Sequence, residues 1–537
     1  MTAPDNMPEP LVGGNTFSTD ATLAAGVERF GAGFAANDLT TLGAWLGSEE
    51  AIGLGVEANR NPPELRAHDR WGRRLDVVDF HPAYHALMER AVGAGVHSLP
   101  WEDGAPDGAH VARAAAMHLI SRNEQGHGCP ISMTYAVAPA LRANEDAFDE
   151  WLPRFTTRSY DPSFRPADQK SGALFGMAMT ERQGGSDVRA NVTTAAPAGG
   201  DVYRIDGHKY FCSAPMNDAF LVLAQAPGGL TCFLLPRWTP DGEVNGFRIE
   251  RLKDKLGNRS NASSEVSFED AWAVRVGDEG RGVPTIIEMV NATRLDCVIG
   301  STAIVREAVA QAAHHTRSRA TFGRTLVDHP LMGNVLADLV LESEAMLWSM
   351  LRLAATFDRP EEDPLRRILT PLWKFWVTKR CPVVTGEALE CLGGLGYVED
   401  SPMPRLFRES PLNAIWEGSG NVIALDTLRA LRTSPGSAEA LIAELEWSAG
   451  RHEALDPAIE RAKDLLADDG PRDEAGTRRL VRDLALTAQA AVLVREADEL
   501  VADAFIRSRL ADGHGGVLGT LPPGIDLEAL VALAPAR

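Results

Sequence analysis

Five short stretches of this 537-residue chain combine residue types and spacings that could do chemistry. Glu417 lies in Ala414-Ile415-Trp416-Glu417-Gly418-Ser419-Gly420-Asn421, an apolar and small-residue setting. A carboxylate drawn out of water has a raised pKa and can serve as a general base near neutral pH. An ordinary acidic residue ahead of a helix starting near Asn421 satisfies the same pattern. The stretch Met177-Ala178-Met179-Thr180-Glu181-Arg182-Gln183-Gly184-Gly185-Ser186-Asp187 ends an apolar strand in a hydroxyl, a Gly-Gly turn and a second hydroxyl. Such a turn lets backbone approach a flat or anionic ligand and can cradle phosphate oxygens with its N–H groups. A plain hairpin loop has the same letters. Gly207-His208-Lys209-Tyr210-Phe211-Cys212-Ser213-Ala214 puts an aromatic and a hydroxyl at a strand end. The aromatic could cover a ring face and the serine bond a ring nitrogen; core aromatics on a strand are the alternative.

The remaining two stretches follow helical text. Arg317-Ser318-Arg319-Ala320-Thr321-Phe322-Gly323 offers guanidinium groups suited to bidentate phosphate contact, or merely cations at the negative pole of a helix. Cys391-Leu392-Gly393-Gly394-Leu395-Gly396-Tyr397 contains Gly-Gly-x-Gly, but a dinucleotide turn of the Rossmann type needs a strand before it. The Rossmann reading is therefore rejected, and a helix end with glycine in the left-handed position remains.

The elements that must position these residues come in blocks. An arm over 1–20 precedes mostly helical text over 21–174, including the Ala-rich Ala112 to Ile120, with breaks at Asn61-Pro62-Pro63 and Leu99 to Gly108. From 175 to 282 short apolar runs alternate with turns. Tyr203 to Phe211 reads as two strands around an Asp-Gly turn, Ala219 to Gln225 and Leu230 to Leu235 as buried strands, and Ser264 to Phe268 as a half-buried strand. Together they predict an antiparallel β domain. Helix returns over 283–432, with Ala303 to His315 and Leu331 to Leu353 strongly periodic. Thr433-Ser434-Pro435-Gly436 reads as a linker into a further helical domain over 433–537. Segregated blocks of helix, sheet and helix predict the α+β class rather than a doubly wound sheet.

Composition narrows the function classes. Length predicts roughly three or four domains, and 45% hydrophobic with 24% charged residues suits a soluble globular protein. No apolar run reaches the roughly 18 residues that a membrane helix needs, and the start of the chain does not read as a secretory signal. The six cysteines form no Cys-x-x-Cys pair, which speaks against disulfide scaffolds and zinc ribbons and for a reducing compartment. A net charge of −21 lowers the prospect of nucleic-acid binding, although a local basic patch is compatible with it.

In this order and on this block pattern, the five motifs resemble the acyl-CoA dehydrogenase family over roughly Asp20 to Leu431. Within that family the chain is similar to the AidB-like branch of adaptive-response flavoproteins. That likeness extends over nearly the whole chain, through Met179 to Val188, Leu252-Lys253-Asp254-Lys255-Leu256-Gly257-Asn258-Arg259-Ser260-Asn261-Ala262, Ile415 to Asn421 and the extra C-terminal helical domain. The resemblance implies an N-terminal helical domain, an antiparallel β domain, a four-helix domain and a C-terminal helical domain. It implies FAD as cofactor, with Met179, Thr180, Gly185, Ser186, Phe211, Cys212, Ser213, Arg319, Phe322, Leu392, Gly393, Gly394, Trp416, Ser419 and Asn421 at positions that hold it; no metal is implied. The Arg319 element would reach the FAD of a neighbouring subunit, so at least a dimer, and commonly a homotetramer, is implied.

The family chemistry makes Glu417 the base that removes the α-proton of an acyl-CoA, while the β-hydrogen leaves as hydride to the flavin. The backbone N–H of the same glutamate, with a flavin hydroxyl, receives the charge on the thioester oxygen. Members that carry the base on another helix place it one residue before an arginine; here that residue is Thr293, before Arg294, so Glu417 stands as the single candidate. Arg294 matches a residue that steadies the CoA side of the substrate, although Asn291 stands where many members have Asp. Trp416 is bulkier than the usual Tyr and predicts a short or branched acyl group. An electron-transfer flavoprotein or oxygen would take the electrons, in the cytoplasm. The rival functions are a DNA-associated flavoprotein protecting against alkylation damage, with weak or no dehydrogenase turnover, and a flavin-binding scaffold that has lost turnover. Residues 437–537 hold 11 Lys/Arg against 19 Asp/Glu, a net of −8, which disfavours DNA there despite the cluster Arg478, Arg479 and Arg482.

Overall fold

In the computed structural model, which describes residues 6–467, 474–511 and 516–535, helices come first. They are α1 (Ala21–Arg29), α2 (Ala36–Leu46), α3 (Glu49–Arg60), α4 (Pro82–Gly93), α5 (Ala109–Asn123), α6 (Gly128–Leu141) and α7 (Glu145–Phe155). A hairpin of β1 (Glu64–His68) and β2 (Arg74–Asp79) interrupts them. The local causes are legible at α7. Asn144 caps its start by accepting from the Ala147 amide at 2.9 Å. Ala147, Trp151 and Phe155, four residues apart, form its buried stripe. Trp151 and Phe155 both meet the Phe175 ring edge-on, at centroid distances of 5.1 and 5.6 Å. That contact seats the strand that leads to Thr180.

The main sheet comprises β3 (Phe175–Ala178), β4 (Thr194–Gly199), β5 (Val202–Ser213), β6 (Ala219–Ala226), β7 (Gly229–Pro236), β8 (Phe247–Leu252) and β9 (Ser263–Val276). β4, β5, β9, β7 and β6 pair in a closed ring, with β3 added beside β6 and β8 beside β9. Phe220, Phe233, Phe247 and Ile205 fill its centre. Two expectations are corrected here. The pairings are antiparallel except that β3 runs parallel to β6, and β4 meets β6 in one parallel pair. Tyr203 to Phe211 is one continuous strand rather than a hairpin. Gly207 makes the continuity possible: a Cβ there would stand 2.5 Å from Thr193 Oγ1, and the register against β9 shifts at this glycine.

Helices return as α8 (Gly282–Ser318), α9 (Pro330–Phe357), α10 (Asp363–Cys391), α11 (Met403–Glu409) and α12 (Gly420–Thr433), with a small hairpin of β10 (Ala320–Thr321) and β11 (Arg324–Thr325) after α8. The expected linker at 433–436 is a tight turn, with Gly436 at φ +80° directly before the next helix. α13 (Ser437–Glu446), α14 (Asp456–Leu466), α15 (Thr477–Glu496), α16 (Glu499–Ile506) and α17 (Leu527–Ala532) follow. The first five residues of the expected arm, and 468–473, 512–515 and 536–537 of the expected C-terminal domain, lie outside the described residues. Among the described residues, no helix is long and apolar enough to cross a membrane.

The chain forms two compact units: Met1–Glu49 with Asp107–Arg122 and Cys297–Arg537, and Glu50–Pro106 with Asn123–Asp296. The first is knit by a buried ionic network. The Arg306 guanidinium donates to both Asp20 oxygens at 2.8 and 2.7 Å and to Glu344 Oε1 at 2.6 Å. Burial alone would raise the Asp20 carboxyl, but Arg306 and Arg122 outweigh it and hold the pKa at about 2. In the second unit Glu124 plays the same part. It accepts from Asn59, Ser260 and His127 at 2.7–2.8 Å, tying α3 and the loop after β8 to the start of α6.

Candidate active site

Glu417 sits in the bend between α11 and α12, and its backbone is strained. Its φ is +58°, a left-handed conformation that a side chain with a Cβ rarely adopts. Gly418 follows at φ +99°. The bend is held from α10, where the fully buried Lys374 donates to the Trp416 carbonyl at 2.9 Å and the Gly418 carbonyl at 2.5 Å. One ammonium thus holds the carbonyls of the residues on either side of Glu417, whose side chain stays half-buried. Trp416 is fixed too: its indole N–H donates to Asn413 Oδ1 at 2.8 Å, and the Asn413 amide donates to Ser301 Oγ of α8 at 3.2 Å. Ser419 occupies the cap position of α12 without a side-chain cap bond. Gly420 opens the helix where a Cβ would meet Lys379 Cε at 2.7 Å, and Asn421 is exposed beside it.

The same unit carries the Cys391 to Tyr397 and Arg317 to Gly323 motifs. α10 ends at Cys391, Leu392 is buried, and Gly393 takes φ +58°. That is the helix-end geometry expected of it. A Cβ on Gly393 or Gly394 would meet nothing within 4 Å, so this backbone faces open space. Gly396 differs: a Cβ there would press within 2.2 Å of the Leu389 carbonyl. Arg319 donates to the Asn6 carbonyl at 2.6 Å at the foot of the β10–β11 hairpin. Phe322 forms the hairpin tip at φ +50°, next to Gly323 at φ +85°, and is 99% exposed.

In the other unit, Thr180 and Met179 follow β3 and are half-buried. The loop that continues from them is pinned by Glu181. Its carboxylate accepts from Lys209 Nζ at 2.9 Å and from the Val192 and Thr193 amides at 2.7 and 3.2 Å. Burial pushes that carboxyl up, but these donors outweigh it and hold it below its ordinary value. Lys209, wholly buried, also donates to the Leu223 carbonyl at 2.7 Å. Gly185 packs on Thr180, where a Cβ would stand 2.5 Å from Oγ1, and Ser186 is exposed. On β5 the ladder register shifts between Lys209 and Cys212, leaving Phe211 half exposed. Ser213 Oγ lies 3.4 Å from Ser263 Oγ. Cys212 is wholly buried in the sheet core, and burial pushes its thiol up to about 12, so only its backbone can face a ligand. Arg294 is buried and donates to Asn291 Oδ1 at 3.3 Å. The Thr293 hydroxyl is turned to the Val290 carbonyl of its own helix at 3.0 Å.

Models of three protein families match the chain in series. The AidB N-terminal domain of the adaptive response protein matches 6–162, the middle domain of acyl-CoA dehydrogenase 176–271, and its C-terminal domain 280–431. Escherichia coli AidB is 44% identical over 95% of each chain. The chain belongs to the acyl-CoA dehydrogenase family, in its AidB-like branch. Acyl-CoA dehydrogenase family member 11 of Caenorhabditis elegans is 30% identical over 80% of this chain and 72% of its own. The crystal structure of Caenorhabditis elegans ACDH-11 in complex with C11-CoA superposes with a TM-score of 0.86 at 26% identity, over 94% and 93% of the two chains.

Acyl-CoA dehydrogenases generally bind FAD, and the residues present fit such a group. In one unit the Ser419 hydroxyl makes no cap bond and Gly393 and Gly394 offer open backbone; in the other, Phe211 presents a half-exposed ring. What the motif reading of this acyl-CoA dehydrogenase missed is what holds the motifs. Lys374 is 43 positions before Glu417, on α10, and no local pattern marks it. Lys209 was visible inside its motif, but its pairing with Glu181 spans 28 residues and depends on the closed ring. The arginine cluster of α15 divides: Arg479 and Arg482 pair with Asp483, while Arg478 turns to Asn421 at 3.4 Å.

Proposed function

We propose that this protein catalyses α,β-dehydrogenation of a short or branched acyl-CoA, with Glu417 as the base and FAD as the redox group. The observation that carries this reading is the clamped left-handed backbone at Glu417. Strain of this kind costs about 1–3 kcal/mol and persists where the surroundings hold a functional geometry. In the proposed reaction the Glu417 carboxylate takes the α-proton, and its backbone N–H receives the charge that develops on the thioester oxygen. FAD, when bound, supplies the acceptor for the β-hydrogen. Met179, Thr180, Gly185, Ser186, Phe211, Ser213 and the Cys212 backbone would hold it from the β segment. Leu392, Gly393, Gly394, Trp416, Ser419 and Asn421 would do so from the helical segments. Arg294 steadies the CoA portion. Trp416, braced by Asn413, limits the acyl pocket. Arg319 and Phe322 reach the cofactor of a neighbouring subunit in a homotetramer, a role supported by a phenylalanine left 99% exposed at a hairpin tip. The electrons pass to an electron-transfer flavoprotein or to oxygen, in the cytoplasm. A DNA role is disfavoured by the net charge of −8 over residues 437–537, and Arg479 and Arg482 of α15 both face Asp483.

Anaerobic mixing with a panel of acyl-CoAs tests the proposal. Flavin bleaching is expected with isovaleryl-CoA at least as fast as with long-chain thioesters. Glu417→Gln should slow it by roughly 10²–10⁴-fold with flavin content unchanged. Bleaching by no thioester, or an unaffected Glu417→Gln protein, would overturn it.

A further inference from the structure

The hairpin of β10 and β11 is too small to hold its own shape. It has two residues in each strand, and an isolated two-stranded hairpin is marginal in water even when longer. Its tip is strained as well: Phe322 has a φ of +50° and is 99% exposed. Ala320 stands opposite Thr325, with the Leu326 amide donating to the Arg319 carbonyl at 2.8 Å. The peptide groups of Ala320 itself are met from the other side, by the side chain of Asn6. Its Oδ1 accepts from the Ala320 amide at 2.6 Å, and its Nδ2 donates to the Ala320 carbonyl at 2.9 Å. One carboxamide thus satisfies both groups, as a residue of a third strand would. The Asn6 carbonyl in turn accepts from the Arg319 guanidinium at 2.6 Å. A neutral carbonyl takes one of the five guanidinium N–H groups and fixes the side chain without cancelling its charge. Asn6 adopts φ +66°, a left-handed conformation that asparagine tolerates better than most residues. The arm that presents it is tied down along its length. The Glu9 carbonyl lies 2.7 Å from His314 Nε2 of α8, and the Gly13 and Thr16 amides donate to the Gly47 and Gly43 carbonyls at 2.8 and 3.1 Å.

We propose that Asn6 is a positioning residue for the cofactor: it completes the edge of β10 and aims Arg319 and Phe322 at the FAD of a neighbouring subunit. The inference rests on the reading that these two residues reach that FAD. It goes beyond it by giving the arm before α1 a part in the contact, from 313 residues away.

The test measures the FAD Kd of the full-length protein by flavin fluorescence quenching, with the melting temperature as a check on folding. Asn6→Ala removes both carboxamide bonds and disfavours the left-handed backbone, and should weaken FAD about fivefold. Asn6→Gly keeps that backbone and its carbonyl and should fall between Asn6→Ala and the wild type. In an Arg319→Gln/Phe322→Ala background the Asn6→Ala change should cost less than about twofold, because the contacts it positions are gone. An equal loss in both backgrounds would overturn the positioning role. So would an unchanged Kd for Asn6→Ala when Arg319→Gln alone weakens FAD about tenfold. Amide hydrogen exchange separates the strap from the functional reading. The Ala320 amide should exchange about tenfold faster in Asn6→Ala than in the wild type, with or without flavin. If it does, and Arg319→Gln leaves FAD binding unchanged, the strap stands but its cofactor role and the reading beneath it fall. Unchanged exchange would overturn the strap itself.

Discussion

Replacing Lys374 by Met removes the ammonium that clamps Glu417 and keeps most of the buried stem. The loss has two parts. The Trp416 and Gly418 carbonyls lose a charged donor at 2.9 and 2.5 Å inside the protein. Bonds to charged groups contribute about 1.5–3 kcal/mol each, so stability should fall by roughly 2–4 kcal/mol after partial relaxation. The second part is kinetic. A left-handed conformation costs a residue with a Cβ roughly 1–2 kcal/mol. Without the clamp that cost is no longer opposed, and Glu417 relaxes to a right-handed or extended backbone in most molecules. A shift of 1–2 kcal/mol leaves the reactive geometry in about 3–20% of molecules, so single-turnover flavin reduction should slow by roughly 5- to 30-fold. Stopped-flow absorbance under saturating acyl-CoA measures this, with flavin content and circular dichroism as checks on folding. A Lys374→Met protein that reduces its flavin within twofold of the wild-type rate would refute the reasoning: the strained backbone would then be held by something else, or would not matter to proton abstraction.

Lys209→Met should strand the buried Glu181 carboxylate and destabilise the protein by about 3–5 kcal/mol, visible in urea unfolding, whereas the double change Lys209→Met/Glu181→Gln should recover part of the loss. Gly185→Ala would drive a methyl against Thr180 Oγ1, now 2.5 Å from the Cβ position, and should raise the FAD Kd about tenfold with little change in melting temperature; an unchanged Kd would mean that this turn does not touch the flavin. Acid should unfold the protein in a defined window. Asp20 and Glu124 are both depressed to about 2 in the fold, so the stability they contribute is complete above about pH 4.5 and is lost as pH falls towards 2, at about 2–3 kcal/mol per group. Asp20→Asn should flatten the Asp20 part of that slope, measured by chemical denaturation at several pH values.

Much of the architecture was legible along the chain because it depends on local periodicity. The α7 stripe of Ala147, Trp151 and Phe155, the apolar runs of β6 and β7, and the start of α12 next to Asn421 all follow from nearest neighbours in sequence. The motifs were legible because the backbone needs particular residues there. Gly393 ends a helix in the left-handed region, and Gly185 packs where a side chain cannot. Local reading misjudged Tyr203 to Phe211, where Asp206-Gly207 looks like a hairpin turn. Pairing with β9 and the packing of Thr193 against Gly207 keep the strand running through it. The β1–β2 hairpin escaped because its strands are short and largely polar, burying only Asp76 and Val78.

The sequence by itself determined the family and the order of helix and sheet, and it singled out the carboxylate proposed here as the base, because residue types at fixed spacing carry that information. Only the tertiary structure decided what holds that carboxylate. Lys374 reaches Glu417's neighbours from another helix, Lys209 reaches Glu181 across the sheet, and Arg478 reaches Asn421 across 57 residues. Buried charges find their partners through packing rather than through sequence proximity, so no local pattern can announce them.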